Sequence, residues 1–256
     1  MRIEVIQSNS EGNCYILSNS KGEPLIIEAG LTPTQMGDVI RPRISHIVGC
    51  IVSHHHSDHI QGLREVIRHG IRCYMPLQVL SDLLQTGNNR LYKYYCRRVR
   101  AKNKFRVGSY TIYSYPADHC NGDMTPCECL SYLIECDGER VLFITDTASF
   151  SYKCNGVTHL MVECNYLDAI AKSKIESGDL SLSEYERIKA SHLDVERCYS
   201  IASAIGIQGL KSIILLHASK RHGSEEEFTS YFANKGANKP LIAKSGLIYQ
   251  DNENNA

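Results

Sequence analysis

Short apolar runs separated by polar turns recur along almost the whole chain, and this pattern predicts a protein of mixed α and β structure. Runs rich in β-branched and aromatic side chains are typical of strands. The pair Asp137-Gly138 predicts a two-residue hairpin turn, because both residues tolerate positive φ angles. The predicted strands are Ile3–Gln7, Cys14–Leu17, Leu25–Glu28, Ile47–Ser53, Ile71–Met75, Phe105–Tyr115, Cys129–Glu135, Arg140–Thr145, Leu160–Glu163, Ser212–Leu216 and Leu241–Tyr249.

Other segments have apolar residues three or four positions apart, which is the spacing of one face of a helix. Together with the strands, such segments predict an α/β or α+β layered domain in which helices cover the sheets. The predicted helix faces are Leu63, Val66 and Ile67 before Gly70; Leu77, Leu80 and Leu84; Val195, Cys198, Tyr199, Ala202 and Ile205 after the N-cap candidate Asp194; and Phe228, Tyr231 and Phe232 after the capping box of Ser224 and Glu227.

Neither a repeat of solenoid length nor a Pro/Ser-rich linker interrupts this pattern. We therefore predict a single domain over residues 1–256 that ends in a frayed tail at residues 252–256. The chain carries 28 Lys and Arg and 28 Asp and Glu, so its formal net charge is zero. This balance excludes a globally basic protein that coats nucleic acid through bulk charge.

The eleven cysteines cannot all form disulfides, because their number is odd. The start of the chain, Met1–Ile6, lacks the apolar core of a signal peptide, and no apolar run is long enough to span a membrane. We therefore expect reduced, buried thiols in a cytoplasmic protein without a membrane partner. A soft-metal clip of Cys127 and Cys129 beside Cys120 is the alternative.

One segment departs from the overall charge balance. No Asp or Glu occurs between positions 83 and 117, and tyrosines are interleaved with the basic residues there. Two interpretations stay open: a solvated helix face, or a patch that contacts phosphates. We predict that residues 76–106 form a helical, basic insertion over the functional site. Its basic residues are Arg90, Lys93, Arg97, Arg98, Arg100, Lys102, Lys104 and Arg106.

A histidine-rich segment directly follows the apolar run that ends at Val52. Four potential metal ligands lie within six residues, and alternate side chains of an extended chain point the same way. Neutral imidazole and carboxylate are ligands for zinc, manganese or iron, and this spacing fits two adjacent metals better than one. The four are His54, His56, Asp58 and His59.

Three further candidate ligands follow predicted strands. His119 comes after the run Thr111–Pro116, Asp146 after Val141–Thr145, and His217 after Ser212–Leu216. Polar side chains just beyond an apolar strand are where α/β proteins assemble their sites. Together with the histidine-rich segment, these residues supply a complete ligand set.

At these residues the chain resembles the metallo-β-lactamase superfamily, whose signature has the form His54-x-His56-x-Asp58-His59. The resemblance implies a four-layer αββα sandwich with a dinuclear metal site between the sheets. Other motifs are similar to the bacterial and phage single-domain exonuclease-type branch, and the last two also to RNase Z, the tRNA 3′-processing endonuclease. These motifs are Ser8–Tyr15, Leu25–Gly30, Thr145–Thr147, Val162–Asn165, Ser191–Leu193 and Leu216–Ser219.

The resemblance assigns the ligands motif by motif. Asp118 precedes His119 and Cys120 follows it, whereas this branch usually has an acidic residue after the histidine. Glu28 replaces the usual Asp, and it is either an orienting residue or simply a strand-end acid. Thr145 stands where a Gly is often found. The implied ligands are His54, His56 and His119 on one metal, Asp58, His59 and His217 on the other, and Asp146 bridging both.

The segment Ser191-His192-Leu193 favours phosphodiester hydrolysis among the reactions of the superfamily. In the phosphodiesterase members of the superfamily, a histidine at this place contacts phosphate or protonates the leaving oxygen without binding metal. The resemblance therefore implies that His192 is a catalytic acid, that Glu163 orients it, and that Asp58 orients the attacking water as well as binding metal. The alternative is a histidine at a helix N-terminus without a catalytic role.

The resulting hypothesis is a hydrolase in which two divalent metals, zinc foremost with manganese or iron possible, activate a water for attack on a DNA or RNA phosphodiester. The candidate substrate contacts are Arg97, Arg98, Arg100 and His222. The first alternative is a phosphodiesterase of small cyclic or signalling nucleotides. Less favoured alternatives are a thioester, lactone or β-lactam hydrolase and a metal-binding protein without activity. The oligomeric state, and the choices of DNA or RNA and of exo or endo cleavage, stay open.

Overall fold

The computed structural model describes residues 1–86, 89–219 and 221–251, so the predicted tail at residues 252–256 lies outside the described residues. The strands are β1 Arg2–Asn9, β2 Gly12–Ser18, β3 Pro24–Ile27, β4 Gly49–Ile51, β5 Cys73–Met75, β6 Cys96–Arg98, β7 Lys104–Val107, β8 Tyr110–Cys120, β9 Pro126–Cys136, β10 Glu139–Ile144, β11 His159–Glu163, β12 Ser212–Leu216, β13 Leu241–Ile242 and β14 Ile248–Gln250. The α-helices are α1 Pro33–Ile40, α2 Ser57–Ile60, α3 Leu63–Arg68, α4 Leu77–Gln85, α5 Asn89–Tyr95, α6 Asp168–Ser177, α7 Leu182–Ser191, α8 Val195–Ala204 and α9 Glu225–Asn234.

The chain divides into two compact units. Unit 1 comprises Met1–Ser114, Glu135–Glu139 and Lys244–Ala256, and unit 2 comprises Tyr115–Ile134 and Arg140–Ala243. The prediction of one domain over residues 1–256 stays a prediction.

Unit 1 contains a seven-stranded sheet in the order β14-β1-β2-β3-β4-β5-β6. Strands β14, β1, β2 and β3 pair antiparallel, whereas β3, β4, β5 and β6 pair parallel. Parallel strands need crossover connections, and helices in these connections cover the sheet. The carboxyl ends of β3 and β4 therefore lie at one edge, where Glu28 and then the histidine-rich segment follow.

Helices α1, α3, α4 and α5 bury their apolar residues in the core of unit 1. The face predicted for α3 is confirmed, because Leu63, Val66 and Ile67 are fully buried. The face predicted for α4 is partly wrong: Val79 and Leu83 are its buried residues, and Leu77 is 39% exposed.

The second sheet has the order β13-β12-β11-β10-β9-β8-β7. In unit 2, strands β10, β11, β12 and β13 pair parallel. The carboxyl ends of β10, β11 and β12 therefore share one edge, and each carries a candidate site residue: Asp146, Glu163 and His217. Helices α6 and α7 have a small core of their own around Tyr166 and Tyr185.

The helical prediction for residues 76–106 holds only for α4 and α5. From Cys96 onward it is wrong, because β6 pairs in parallel with β5 and β7 pairs with β8. Pairing with a neighbouring strand outweighs the weak local preference of this basic sequence. The predicted position over the functional site stays a prediction.

Two predicted strands are each two strands in the structure. Phe105–Tyr115 is interrupted at Gly108, which has a φ of 55° and separates β7 from β8. Leu241–Tyr249 contains β13 and β14, which belong to different sheets. The hairpin turn is confirmed, since Asp137 and Gly138 have φ angles of 54° and 75°. The N-cap at Asp194 and the capping box of α9 are also confirmed.

Candidate metal centre

The histidine-rich segment of unit 1 brings four donor side chains together. After β4 the chain stays extended to His56, which is the N-cap of α2, and it then turns into that helix. His54 Nε2 lies 3.1 Å from His56 Nδ1, and the rings of His54 and His59 are 4.1 Å apart between centroids. His59 Nε2 lies 3.4 Å from Asp58 Oδ2. His54 and His59 are fully buried, so protein groups fix their orientation.

Glu28 anchors this segment from the end of the neighbouring strand. Its carboxylate is fully buried and accepts a hydrogen bond from the Ser53 amide at 3.1 Å. The Glu28 Oε2 atom also lies 3.5 Å from His59 Nδ1. This contact places Glu28 behind a candidate ligand, the position from which a carboxylate sets the orientation of a metal-binding imidazole.

Two other side chains support the donor segment. The amide nitrogen of Asn13 donates to Asp58 Oδ2 at 3.3 Å and lies 3.2 Å from His59 Nε2. The Ser53 hydroxyl lies 2.8 Å from His54 Nδ1. His55 points elsewhere, because its Nδ1 lies 3.0 Å from an Asp82 carboxylate oxygen in α4. Its ring centroid nevertheless lies 5.2 Å from that of His56.

Unit 2 brings together a second donor group at the carboxyl edge of its parallel strands. Asp146, Glu163, His192 and His217 offer ligating atoms that all lie within 4.8 Å of one another. His217 Nδ1 is 3.5 Å from Asp146 Oδ1 and 3.4 Å from Glu163 Oε1. Three of these residues are buried, and only His192 is half-buried.

Glu163 and His192 form a close pair, with 2.5 Å between Glu163 Oε1 and His192 Nδ1. Burial by itself would raise the pKa of Glu163, but His192 beside it outweighs burial, so the Glu163 pKa lies below its usual value. Burial by itself would lower the pKa of His192, but Glu163 and then Asp146 raise it above its usual value. The pair therefore favours a carboxylate next to a protonated imidazole.

The backbone at His217 is unusual. Its φ of 52° lies in the left-handed region, which residues other than glycine rarely adopt. Asn165 holds this conformation, because its amide nitrogen donates to the His217 carbonyl oxygen at 3.1 Å and lies 3.2 Å from His217 Nδ1. Glu28 in unit 1 has the same feature, with a φ of 63°. Strained residues held in this way are typical of functional sites.

His119 lies at the end of β8, close to the second donor group. Its Nδ1 is 3.0 Å from the Ser191 carbonyl oxygen, and its ring centroid is 6.0 Å from that of His192. Because the carbonyl oxygen accepts a hydrogen bond from Nδ1–H, the Nε2 atom carries the lone pair that can bind a metal. The neighbouring Cys120 lies 2.9 Å from the Ser191 hydroxyl and does not replace His119.

The structure places the candidate substrate contacts outside both donor groups. Arg97, Arg98 and Arg100 are all exposed, and Arg97 in addition donates hydrogen bonds to the carbonyl oxygens of Tyr94 and Cys96 at the end of α5. His222 is buried before α9, and its pKa is lowered by burial and by the nearby cations of Lys174 and Arg221.

All eleven cysteines are reduced and buried. Among the described residues, Cys120, Cys127 and Cys129 do not come together as a metal-binding trio. The soft-metal clip of these cysteines stays a prediction. Strand pairing instead sets Cys50 beside Cys73 and Cys73 beside Cys96 in the core of unit 1, where burial raises the pKa of Cys96 to about 12.

The donor types fit divalent metal ions. Both groups combine imidazole nitrogens with carboxylate oxygens, which zinc, manganese and iron bind, and neither group contains a thiolate. Buried imidazoles and carboxylates packed this closely are costly without cations or protons between them. Asn13 and Asn165, which support the two groups, were not predicted from the sequence, because an asparagine near a strand end has no distinctive signal.

The family model described as the Beta-lactamase superfamily domain matches residues 26–218, about three quarters of the chain. The chain therefore belongs to this superfamily. Its architecture, two mixed sheets with helices, is the metallo-β-lactamase fold. Membership of this superfamily and the two donor groups together support the conclusion that the protein is a metal-dependent hydrolase. No curated protein matches the chain.

Solved structures share this fold at low sequence identity. The metallo-β-lactamase fold protein YhfI from Bacillus subtilis has a TM-score of 0.69 and 17% identity, and the match covers 97% of this chain and 99% of YhfI. Zn²⁺-bound PqqB from Methylobacterium extorquens has a TM-score of 0.71 and 15% identity, with 98% and 100% covered. The short form of human tRNase Z has a TM-score of 0.66 and 12% identity, with 98% and 99% covered.

In the part of the chain that the structure describes, no helix is both long enough and apolar enough to cross a membrane.

A glycine-to-alanine exchange at Gly30 tests the packing of the donor segment in unit 1. A Cβ atom at Gly30 would lie 1.7 Å from the Asp58 carbonyl oxygen and 2.6 Å from the Asn13 amide nitrogen. Because backbone atoms on both sides cannot yield, we expect Gly30→Ala to displace Asp58 and His59, to lower the metal content per chain and to cost about 1–3 kcal/mol of stability.

The measurements are metal analysis by mass spectrometry and thermal unfolding of the chelated protein. Gly209→Ala is the matched control, since a Cβ atom there meets no atom within 4 Å. Normal metal content and stability in Gly30→Ala would contradict the packing described here.

Proposed function

We propose that this protein is a dinuclear-metal-dependent phosphodiesterase that cleaves phosphodiester bonds in DNA or RNA. The observation that carries the proposal is the Glu163–His192 pair within the donor group of unit 2. His192 is half-buried, unlike the fully buried candidate ligand His59, and Glu163 behind it is fully buried. Such a pair is suited to deliver a proton to a leaving oxygen.

We further propose that the two donor groups supply the ligands of one dinuclear centre. This assignment is supported by membership of the superfamily and by the order of the donors along the chain. Metals bound there would supply Lewis-acid activation of water and neutralisation of phosphoryl charge. Zinc is favoured, with manganese or iron as alternatives. The ligands would be His54, His56 and His119; Asp58, His59 and His217; and the bridging Asp146.

The roles of the protein's own residues follow from their contacts. His192 is half-buried, which lets substrate reach it, and Glu163 keeps its Nδ1 side occupied, so Nε2 is directed to the leaving oxygen. Glu163 is itself fixed, because its Oε2 atom accepts hydrogen bonds from the amides of Thr147 and Leu193 at 3.2 and 3.1 Å. The Asp58 side chain is 17% exposed, and we assign it the role of orienting the attacking water.

The basic segment of unit 1 supports an anionic polymer as the substrate. Arg98 and Arg100 are exposed, and none of the ion pairs found among the described residues involves them. His55 connects the donor segment to α4, which packs against α5 and β6. Arg98 and Arg100 would bind substrate phosphates that lie further along the polymer than the reacting bond.

The motifs that resemble the exonuclease-type branch support a nuclease rather than a lactam or thioester hydrolase, and tRNase Z is a nuclease built on the same fold. A cytoplasmic location is part of this proposal. The substrate test is cleavage after chelation and metal reloading, with single-stranded DNA, RNA and a cyclic dinucleotide in parallel. If only the cyclic dinucleotide is cleaved, the proposed nuclease activity is refuted and the protein is a phosphodiesterase of signalling nucleotides.

The variant His192→Ala distinguishes two roles of His192, proton donation to the leaving group and metal binding. We expect kcat on an oligonucleotide to fall by about 10²–10⁴, the typical contribution of a general acid, while the metal content per chain stays unchanged. His46→Ala, at an exposed histidine of unit 1, is the control and should retain both properties. Loss of metal from the His192 variant would show that this residue is a ligand.

The variant Glu163→Gln tests the positioning role of the buried carboxylate. Glutamine keeps an oxygen for the amides of Thr147 and Leu193 but loses the charge that faces His192. We expect kcat to fall with little change in KM, because ground-state binding of substrate does not use this pair. The measurement is steady-state kinetics with metal analysis alongside. A rise in KM at constant kcat would assign Glu163 to substrate binding instead.

The double variant Arg98→Gln, Arg100→Gln tests the substrate-binding surface. Each phosphate contact on a single strand contributes about 0.7 to the slope of log affinity against log salt, so we expect the slope to decrease by about 1.4. Cleavage of a dinucleotide should be unaffected. Lys21→Gln, Arg64→Gln removes two exposed charges of the same unit as a control. Equal slopes in the two double variants would refute a role for Arg98 and Arg100.

A further inference from the structure

A cleft of about 900 Å³ opens in unit 2 between helices α6, α7 and α8 and the loop that follows Asp146. Its size falls within the range of small-molecule sites, about 300–1,000 Å³. Three aromatic side chains line it: Phe150, Tyr166 and Tyr185. The proposed metal chemistry does not use any of these three residues.

Tyr166 brings a buried polar group to this cleft. The residue is 1% exposed, and in the described part of the chain its hydroxyl has no hydrogen-bond partner. Burial raises the pKa of Tyr166 above its usual value, so the hydroxyl is a neutral donor. Tyr166 itself lines the cleft, together with the four charged or polar residues that lie near its hydroxyl: Asp194, Arg197, Asp168 and Tyr185.

Two of the three acidic residues that line the cleft, Asp194 and Asp168, are already engaged by other protein groups. Asp194 caps α8 through the amides of Glu196 and Arg197, at 2.8 and 2.9 Å. Asp168 accepts a hydrogen bond from the Tyr185 hydroxyl at 2.5 Å. The Tyr166 hydroxyl differs from these groups, because the hydrogen bonds found among the described residues leave it able to donate to a ligand in the cleft.

The cations of the cleft are balanced as well. Lys172 lies 2.7 Å from Asp168, and Arg197 lies 3.3 Å from Asp194. Lys189 lies 3.5 Å from Glu186. This balance gives the cleft little preference for a bare anion. It favours an uncharged, flat group with hydrogen-bonding atoms on its edge.

The Phe150 ring is suited to bind such a flat group. It is half-buried and is held by edge-on contacts with Tyr115 and Tyr152, at centroid distances of 5.9 and 5.5 Å. Rings fixed in this way provide stacking surfaces for nucleobases, and stacking tolerates any base.

The cleft also adjoins the catalytic residues along the chain. Leu193 and Asp194, which line the cleft, directly follow His192. Ala148, on another wall, comes two residues after Asp146. Consecutive Cα atoms are only about 3.8 Å apart, so the cleft begins close to these two residues.

We propose that this cleft binds the base of a nucleotide in the substrate, with Phe150 stacking on the base and the Tyr166 hydroxyl donating a hydrogen bond to its edge. The phosphate of the same nucleotide then lies at His192, separated from the base by one sugar. The inference rests on the proposed function, because it names the part of the substrate next to the reacting bond.

The test compares two ligands that differ only in the base. Titration calorimetry on the metal-loaded full chain measures the affinities of adenosine 5′-monophosphate and ribose 5-phosphate, in which sugar and phosphate are common. We expect the nucleotide to bind about tenfold more tightly or better. Equal affinities for the two ligands would overturn the proposal.

Two variants test whether the difference in affinity between the nucleotide and ribose 5-phosphate arises in the cleft. Tyr166→Phe removes only the hydroxyl and should weaken nucleotide binding about five- to tenfold, while ribose 5-phosphate binding stays constant. Phe150→Ala should weaken nucleotide binding by about tenfold or more, and this residue is half-buried in a loop, so the fold is expected to tolerate the change. Tyr199→Phe, on α8 but not lining the cleft, is the matched control. Unchanged nucleotide affinity in both cleft variants would refute the assignment.

A second measurement separates this inference from the proposed function. Cleavage of a dinucleotide is compared with cleavage of the same molecule lacking the base beside the reacting phosphate, and we expect kcat/KM to fall about tenfold without the base. If neither molecule is cleaved by any metal-loaded form, the proposed function fails, yet the calorimetric comparison still tests the cleft. If both are cleaved equally, the function stands and the cleft proposal fails.

Discussion

A buried carboxylate at the edge of a parallel sheet organises each half of this protein. Glu28 and Glu163 are both fully buried at strand ends, where an ionised group is unfavourable unless neighbouring groups compensate it. Each therefore binds backbone amides of the chain that carries or adjoins the donors, and each contacts a histidine. The need to satisfy these two carboxylates fixes the loops on which the proposed chemistry depends.

The same requirement explains where the backbone is strained. Glu28 and His217 are non-glycine residues with positive φ angles at strand ends; Glu28 supports one donor group and His217 belongs to the other. In unit 1, the close approach of Gly30 to the Asp58 backbone leaves no space for a side chain. In unit 2, Asn165 holds His217 in its unusual conformation. Such strain persists because the surrounding contacts outweigh it, and it directs side chains that a relaxed strand end would point elsewhere.

Much of the fold could be predicted from local patterns. The alternation of strands and helices, the Asp137-Gly138 turn, the Asp194 cap and the buried face of α3 are encoded within a few residues, so short-range rules are sufficient. The strand β6 was missed because its basic residues have no strand pattern of their own, and only pairing with β5 makes them extended. Phe105–Tyr115 was predicted as one strand because its apolar pattern continues across the turn at Gly108.

The sequence by itself determined which side chains can act as metal donors. His54 to His59 are six consecutive residues, and the residue types set their ligand chemistry. Only the tertiary structure decided how these donors are supported. Asn13 and Asn165 have no distinctive signal along the chain, and for Glu28 the sequence left two interpretations open. The pairing of the strands brings all three to the donor segments. The structure also distinguished Arg97 from Arg98 and Arg100, because Arg97 donates a hydrogen bond to a carbonyl oxygen at the end of α5. Such a bond depends on how the chain folds and cannot be read from the composition of the basic segment.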